Sequence, residues 1–500
     1  MKLLSSEQLQ YLDRATIEQK PIASISLMEK AATKCVEWLI ANFSGENFVV
    51  FAGKGNNGGD GLAIARLLFQ RGQEVKVYIV ENSSRFSPDC QSNLSNLPKD
   101  ITVSYLNETQ YIPENLPEKA ILIDAIFGLG LSRALTQWIE KLLMWLNQQH
   151  SLRIAIDLPT GMLADTIQIN SVIFCADYTL TFHKPKIAML LPNAGNFAGK
   201  IIVLDIGLLA EVENTLESHY FLHTSAYIRQ LYAKKQKRAI FSHKGTNGHA
   251  LLVAGSYGKG GASVLAAKAC MKSGVGLLSV IAPKCNYTTL QTSIPEAMLL
   301  PTEEEAYITT FQFSQNFQAV GVGCGIGLHP NTQSMLKFLI QNTNKNLVLD
   351  ADALNILAEN PTWLAFLPPH SILTPHPKEF ARLVGTWQNE EECMDKMKDF
   401  AYRYNCFLLL KGAFSRISTP EGKIFFNTTG NPAMASAGMG DVLTGIITAL
   451  LARGYSPYEA LSIGVFVHGL AADLLVEQTK SPFLVASDII SYLGKAFGKL

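Results

Sequence analysis

Apolar residues along the chain follow two spacings. Leu9, Leu12 and Ile17, then Leu27, Ala31, Cys35 and Trp38, recur at helical intervals, which predicts helix across the N-terminal segment. Phe48–Ala52 is instead a short unbroken apolar run and reads as a buried strand. A helix over Ala63–Phe69 and a strand at Val75–Val80 follow. Further strands are predicted at Ala120–Asp124, Ile154–Asp157, Tyr178–Phe182 and Ile201–Asp205, with a helix around Trp138–Leu146. Strands that alternate with helices predict a parallel sheet covered on both faces.

That rhythm stops near residue 211, where charge rises. The expected division is a first domain over residues 1–212, a linker over 213–240 and a second domain over 241–500. The basic run Lys234-Lys-Gln-Lys-Arg238 reads as solvated linker, with a nucleic-acid patch as the remoter alternative. A second alternation then begins. Strands are predicted at Ala250–Ala254, Leu277–Ile281, Ala319–Gly323, Asn346–Asp350, Phe407–Leu410 and Lys423–Phe426, and closing helices at Val442–Leu451 and Ala460–Leu475. No repeated residues align the two halves, so they read as a fusion and not a duplication.

Composition narrows the class. A chain of 500 residues exceeds one ordinary core, and 48% hydrophobic with 17% charged residues describes a globular protein. Lys plus Arg equals Asp plus Glu, at 42 each, so a nucleic-acid partner is not expected. The eight cysteines form no C-x-x-C pair, and reduced thiols in a cytoplasmic protein fit them, with Cys175 and Cys270 in apolar, buried contexts. The N-terminus does not read as a signal peptide, and no apolar run approaches membrane-spanning length, so no membrane partner is expected. Oligomeric state stays open, a homo-oligomer included.

Two glycine-rich loops that run into an aspartate carry the candidate chemistry. In the first, Gly53, Gly55 and Gly58 satisfy G-x-G-x-x-G after a strand, and Glu81 ends the next strand where a dinucleotide fold places its ribose-binding acid. Asn56, Asn57 and Asp60 argue against that reading. Asp60 repels a pyrophosphate, and amide and carboxylate oxygens suit a hard cation. A plain tight turn is the other alternative.

The first half resembles a known family. Lys54-Gly-Asn-Asn-Gly-Gly-Asp-Gly61, Ile123-Asp-Ala-Ile-Phe-Gly-Leu-Gly-Leu-Ser-Arg133, Ala155-Ile-Asp-Leu-Pro-Thr-Gly161, Thr181-Phe-His-Lys-Pro-Lys186 and Asp205-Ile-Gly207 are similar to segments of NAD(P)H-hydrate epimerases. The resemblance implies a Rossmann-like three-layer domain. It implies that Asn56, Asn57, Gly58, Gly59 and Asp60, with Gly128, Leu129, Gly130, Leu131, Ser132, Arg133 and Ala134, hold a hydrated nicotinamide nucleotide. It further implies substrate contact and a catalytic part for Asp157, and potassium at Asn57, Asp124 and Thr160. Leu129 stands where threonine is common, and Thr160 where serine is common.

The second loop, Ala437-Gly-Met-Gly-Asp441, opens an apolar helix. N–H groups at a helix start form an anion hole, and a carboxylate at its rim can take the proton of a hydroxyl attacking phosphorus. A simple N-capping aspartate is the plainer alternative. No G-x-x-x-x-G-K-[ST] is present. The loop resembles the ribokinase superfamily. His243-Lys-Gly-Thr-Asn-Gly248, Gly255-Ser-Tyr-Gly258, Asp350-Ala-Asp-Ala-Leu-Asn355, Leu373-Thr-Pro-His-Pro-Lys-Glu-Phe380, Lys411-Gly412 and Asn431-Pro432 narrow the likeness to ADP/ATP-dependent NAD(P)H-hydrate dehydratases. This implies a ribokinase-like α/β domain with substrate contacts at Ala262, Gly325, His376 and Asp441. It implies adenine-nucleotide contacts at Lys411, Gly412, Ala413, Phe414, Ser415 and Gly440, with Asp441 as the base. His376 also reads as a rigid loop histidine bonded to backbone, and Gly323–Gly327 as close strand–helix packing.

Together the resemblances imply repair of hydrated NADH and NADPH (NADHX and NADPHX). One half interconverts the R and S hydrates and the other dehydrates S, with K+ in the first, Mg2+ in the second, and ADP more than ATP as phosphoryl donor. A vitamin-alcohol kinase fused to a nucleotide-binding module is the alternative.

Overall fold

A computed structural model describes the whole chain except residues 114–115, 118, 171, 236–238 and 312–316. The last three residues of the basic run therefore lie outside the described residues; Lys234, at its start, is ion-paired with Glu459. The chain divides into two compact units, Lys2–Ser218 and His219–Leu500.

The first unit is a seven-stranded, all-parallel sheet. Its strands are β1 (Phe48–Ala52), β2 (Val75–Val80), β3 (Thr102–Leu106), β4 (Ile121–Ala125), β5 (Arg153–Ile156), β6 (Tyr178–Phe182) and β7 (Lys200–Leu204), in the order 3-2-1-4-5-6-7. Strands buried on both faces read as continuous apolar runs, and β1 and β4 are buried at every position. The less buried β3 lacked that signal in the sequence. The N-terminal helical segment is two helices, Ser6–Gln19 and Ser24–Asn42, separated at Lys20–Pro21. Strand order reverses between β1 and β4, and a doubly wound sheet opens a crevice at such a switch point, beyond the strands' carboxyl ends.

Among the described residues, the second unit carries ten strands: β8 (Tyr220–Leu222), β9 (His249–Val253), β10 (Leu277–Ala282), β11 (Met298–Pro301), β12 (Ala319–Val322), β13 (Asn346–Leu349), β14 (Ile372–Leu373), β15 (Phe407–Leu410), β16 (Arg416–Ser418) and β17 (Ile424–Phe426). Their order is 11-10-9-12-13-14-15-16-17-8. β11 through β15 are parallel, and β15–β16–β17 is an antiparallel meander. Here the order reverses between β9 and β12.

The expected linker over 213–240 is largely folded. Tyr220-Phe-Leu222 pairs with β17, where Phe221 stacks on Phe425, and Thr224 caps a helix over Ser225–Ala233. Three residues are too few to show a period, which is why the strand escaped the pattern reading. Helix Pro457–Thr479 is long and apolar enough to cross a membrane by length and composition, although 72% of its most apolar stretch is buried within the protein. All eight cysteines are free; Cys270 is buried as expected, whereas Cys175 is only half-buried.

Candidate functional site

The crevice of the first unit is a cleft of about 600 Å³. Gly55, Asn56 and Asn57 reach it from the end of β1, Ile126–Gly130 from β4, Asp157 from β5, and Phe182 and His183 from β6. Helix Ser6–Gln19 adds Leu9, Gln10, Asp13, Arg14 and Ile17, one face of an amphipathic helix.

The glycine-rich segment is not a loop. The helix expected from Ala63 starts at Asn56, so Asn56–Asp60 form its first turns. Packing overrides the poor helix propensity of glycine here. A Cβ on Gly58 falls 1.8 Å from the Gly53 carbonyl oxygen, and one on Gly59 falls 2.8 Å from Met28 Sδ. Gly58 therefore permits a close backbone approach and Gly59 makes room for the Met28 side chain, and neither lines the cleft. Gly58→Ala is expected to lower the melting temperature, by about 1–3 kcal/mol of stability. Gly55→Ala, into open space, is its tolerated control.

Of the predicted residues, Asn56, Asn57, Asp60, Gly128, Leu129, Gly130, Arg133 and Asp157 line the cleft. Leu131 is buried, and Ser132 and Ala134 are exposed; none of the three is among the lining residues. Glu81 is ion-paired with Lys54 at 3.0 Å, which leaves the dinucleotide reading without its free ribose acid.

Asp124 and Thr160 are fully buried beside the cleft. Asp124 accepts hydrogen bonds from Thr160 Oγ1 at 2.6 Å, Thr160 N at 2.7 Å and Ile126 N at 3.2 Å. Burial still pushes its carboxyl up to about 6, against those bonds. Asn57 packs its amide against Gly128, with a buried Nδ2 that has no hydrogen-bond partner among the described residues. Phe127 N donates to Thr160 Oγ1 at 3.1 Å. A carboxylate, a hydroxyl and an unsatisfied amide thus lie along one short path. Turned over, that amide presents its oxygen where the nitrogen lacks a partner. Oxygen donors of this kind suit a hard cation.

Asp157 has φ 65°, in the left-handed region where aspartate, after glycine and with asparagine, is among the residues found most often. It is ion-paired with Lys186, which is 1% exposed and also donates to Thr181 Oγ1 at 2.8 Å and Phe182 O at 3.3 Å. Burial, and then the Asp157 charge, push Asp13 up to about 6. The same two causes raise Asp60 well above the carboxylate range. Asp13 and Lys186 were missed as site residues: Asp13 reads as the polar side of a surface helix, and Lys186 was quoted in a matched segment without a role.

In the second unit, helix Met439–Ala452 starts three residues before the expected Val442. Its N-cap is Gly438 at φ 88°, so Asp441 lies in the first turn and is not the cap. A Cβ on Gly440 falls 3.1 Å from Asp350 Oδ2 and 3.3 Å from Lys411 Nζ. Lys411 pairs with Asp350 at 2.7 Å and lies 3.9 Å from Glu379. Thr444 Oγ1 donates to Asp350 Oδ2 at 3.0 Å. Burial raises Asp350, but the Lys411 ammonium and these hydrogen bonds outweigh it and hold the carboxyl below the usual range. Burial pushes Asp441 up to about 6, opposed by a hydrogen bond from the Cys324 thiol and reinforced by Asp350.

His376 caps helix Pro377–Val384: its Nδ1 accepts from Lys378 N at 3.1 Å and Glu379 N at 3.3 Å, and its own N–H donates to Glu379 Oε2 at 2.8 Å. The backbone-bonded reading of this histidine therefore holds at Nδ1, while Nε2 lies 3.4 Å from Glu379 Oε1. A Cβ on Gly325 falls 3.0 Å from Ala262 Cβ, so those two predicted residues meet. Contacts link Asp441, Gly440, Lys411 and His376 through Cys324, Asp350 and Glu379. In the 411–415 turn, Phe414 has φ 48°, and Ser415 Oγ donates to Gly412 O at 2.8 Å; Gly412 and Ala413 are exposed. Among the described residues, no group of three or more His, Cys, Asp or Glu side chains is placed to hold a metal.

Comparison with known proteins covers both units. The NAD(P)H-hydrate dehydratase family model matches residues 250–495, and the YjeF-related protein N-terminus model matches residues 24–188. The bifunctional NAD(P)H-hydrate repair enzyme of Moorella thermoacetica is 34% identical over 99% of this chain and 96% of its own length. That of Thermofilum pendens is 32% identical over 100% and 97%. A crystal structure of the ADP/ATP-dependent NAD(P)H-hydrate dehydratase of Bacillus subtilis, co-crystallised with ATP and Mg2+, has 27% identity and a TM-score of 0.48, covering 56% of this chain and 98% of that one. With relatives matched at such identity over nearly their whole length, the chain belongs to the family of bifunctional NAD(P)H-hydrate repair enzymes.

Proposed function

We propose that the chain repairs hydrated NADH and NADPH, the first unit interconverting the R and S hydrates and the second dehydrating the S hydrate. The observation that carries this reading is the full-length likeness to bifunctional repair enzymes, which spans both carboxylate sites at once. In the hydrate a hydroxyl sits beside the nitrogen of the reduced nicotinamide ring, and hydroxide is a poor leaving group. Phosphorylation makes that oxygen leave as phosphate, and the ring nitrogen's lone pair expels it. Asp441 takes the hydroxyl proton, and the N–H groups at Gly438–Asp441 receive the transferring phosphoryl. Ala262, Gly325 and His376 hold the hydrate. Lys411–Ser415 and Gly440 hold the adenine nucleotide, ADP in preference to ATP. Mg2+ arrives with the nucleotide, whose phosphates supply much of its coordination. A vitamin-alcohol kinase fused to a nucleotide-binding module fits less well, because the relatives matched over nearly their whole length are bifunctional repair enzymes. Phosphorus NMR separates the two: the repair reaction yields inorganic phosphate and reduced cofactor, and a kinase yields a stable phosphorylated product.

In the first unit the residues from Asn56 to Ala134 that line the cleft, with Asp157, hold the nucleotide. Asn57, Asp124 and Thr160 hold K+, whose charge would offset the buried Asp124 carboxylate. Potassium is then expected to raise both the melting temperature and the rate of R-hydrate consumption. Asn57→Ala should lose both responses; an unchanged response to potassium removes the cation from this site.

A further inference from the structure

The cleft of the first unit holds three carboxyl groups in unlike surroundings. Asp157 is ion-paired with a lysine that is 1% exposed. Asp13, on the facing helix, has no hydrogen-bond or ion-pair partner among the described residues. Asp60 lies at the start of the cleft helix. The charged and titratable groups around Asp13 are Asp157, Lys186 and Asp60, with Arg14, His183 and Arg133 elsewhere on the cleft wall. Two carboxyls that share a site, one neutralised by a lysine and one left bare, divide into an ionised partner and a proton carrier.

Resting on the epimerase reading above, we propose that Asp13 is the proton donor of hydrate inversion, and that the ion pair with Lys186 fixes the Asp157 carboxylate beside the ring. The Asp13 proton passes to the hydroxyl on the carbon next to the ring nitrogen. The C–O bond breaks, water departs, and the nitrogen lone pair becomes the second bond of a planar C=N+ unit. The Asp157 carboxylate stabilises that cation. Water adds to the opposite face, forms the new C–O bond and loses one proton, which restores the Asp13 carboxyl. No oxidant or reductant enters, and the charges balance at each step. Burial, and then the Asp157 charge, raise Asp13 to about 6, so a useful fraction remains protonated near neutrality.

The test follows conversion of R to S hydrate by chromatography, above the rate without enzyme, from pH 5 to 8. The wild type should slow as pH rises through about 6. Asp13→Asn should lose about 10²-fold in kcat with little change in KM, and the alkaline fall should vanish. Asp13→Glu should recover part of the rate with a displaced fall, which a purely structural role for the residue does not produce. Melting temperatures confirm that the variants are folded. Asp13→Asn with the wild-type rate and profile overturns the proposal while leaving the epimerase reading intact. So does Asp60→Asn abolishing the alkaline fall while Asp13→Asn keeps it. A wild type that does not interconvert the epimers overturns both.

Discussion

Asp441→Asn is expected to reduce S-hydrate dehydration by about 10²–10⁴-fold while leaving adenine-nucleotide affinity nearly unchanged. Asparagine keeps the shape and removes the ability to accept the hydroxyl proton. Asp441 stands in the first turn of its helix, one residue after Gly440, and Gly438 serves as the N-cap. Loss of a cap therefore does not account for a lost rate. Burial raises the Asp441 carboxyl to about 6, although the Cys324 thiol pulls the other way. A base must be ionised to act, so the wild-type dehydration rate should fall as pH drops through about 6 and level off above about 7. This is the mirror image of the inversion profile expected in the first unit. One chain should thus show two opposite pH limbs, assigned to different domains. Stopped assays of each half-reaction across the same buffers resolve them. Retained dehydration in Asp441→Asn with the wild-type acid limb sinks the assignment.

Lys411→Met is expected to be the most destabilising single change in the second unit's site, at about 3–5 kcal/mol. The lysine leaves behind Asp350, whose side chain is 2% exposed and which keeps only hydrogen bonds such as that from Thr444. Breaking one side of a buried pair costs more than the pair was worth, because the remaining charge stays desolvated. Both partners shift in the direction of mutual support. Asp350 is lowered by Lys411 despite its burial, and Lys411 is raised by Asp350 and Glu379 despite its own. A lowered carboxylate contributes stability above its unfolded pKa and loses it as pH falls through the folded one. A raised lysine contributes below its unfolded pKa and loses it as pH rises through the folded one. The pair therefore supports the fold from above the ordinary carboxylate range to the ordinary lysine range, and fails outside it. Lys411→Met should flatten that plateau in denaturant titrations. The double variant Lys411→Met/Asp350→Asn should recover part of the lost stability, and no recovery contradicts the account.

The sequence carried the sheets well, because strands buried on both faces of a parallel sheet are unbroken apolar runs. Phe48–Ala52 and Ile121–Ala125 needed no tertiary information. It carried the helix starts poorly at both glycine segments. Gly58 and Gly59 are weak helix formers by propensity, and only their contacts with Gly53 and Met28 explain why helix begins at Asn56. The short β8 and β14 fell below the length at which a period can be seen. Asp157, expected from a segment of distinctive composition, does line the cleft. Asp13 was not expected there, because its place in the cleft comes from a helix folding across the mouths of strands far away in the chain. Gly58 and Gly59, expected as ligand contacts, do not line the cleft; Gly58 leaves room for the Gly53 carbonyl and Gly59 for the Met28 side chain.

The most direct test of a two-site repair enzyme supplies the purified chain with an equal mixture of R and S hydrate and one adenine nucleotide at a time, and follows the absorbance of the reduced nicotinamide ring together with released phosphate. The account predicts that absorbance recovers past the half expected from S alone, with one phosphate released for each cofactor restored. No recovery with either ADP or ATP contradicts dehydration. Recovery that stops at half contradicts the epimerase.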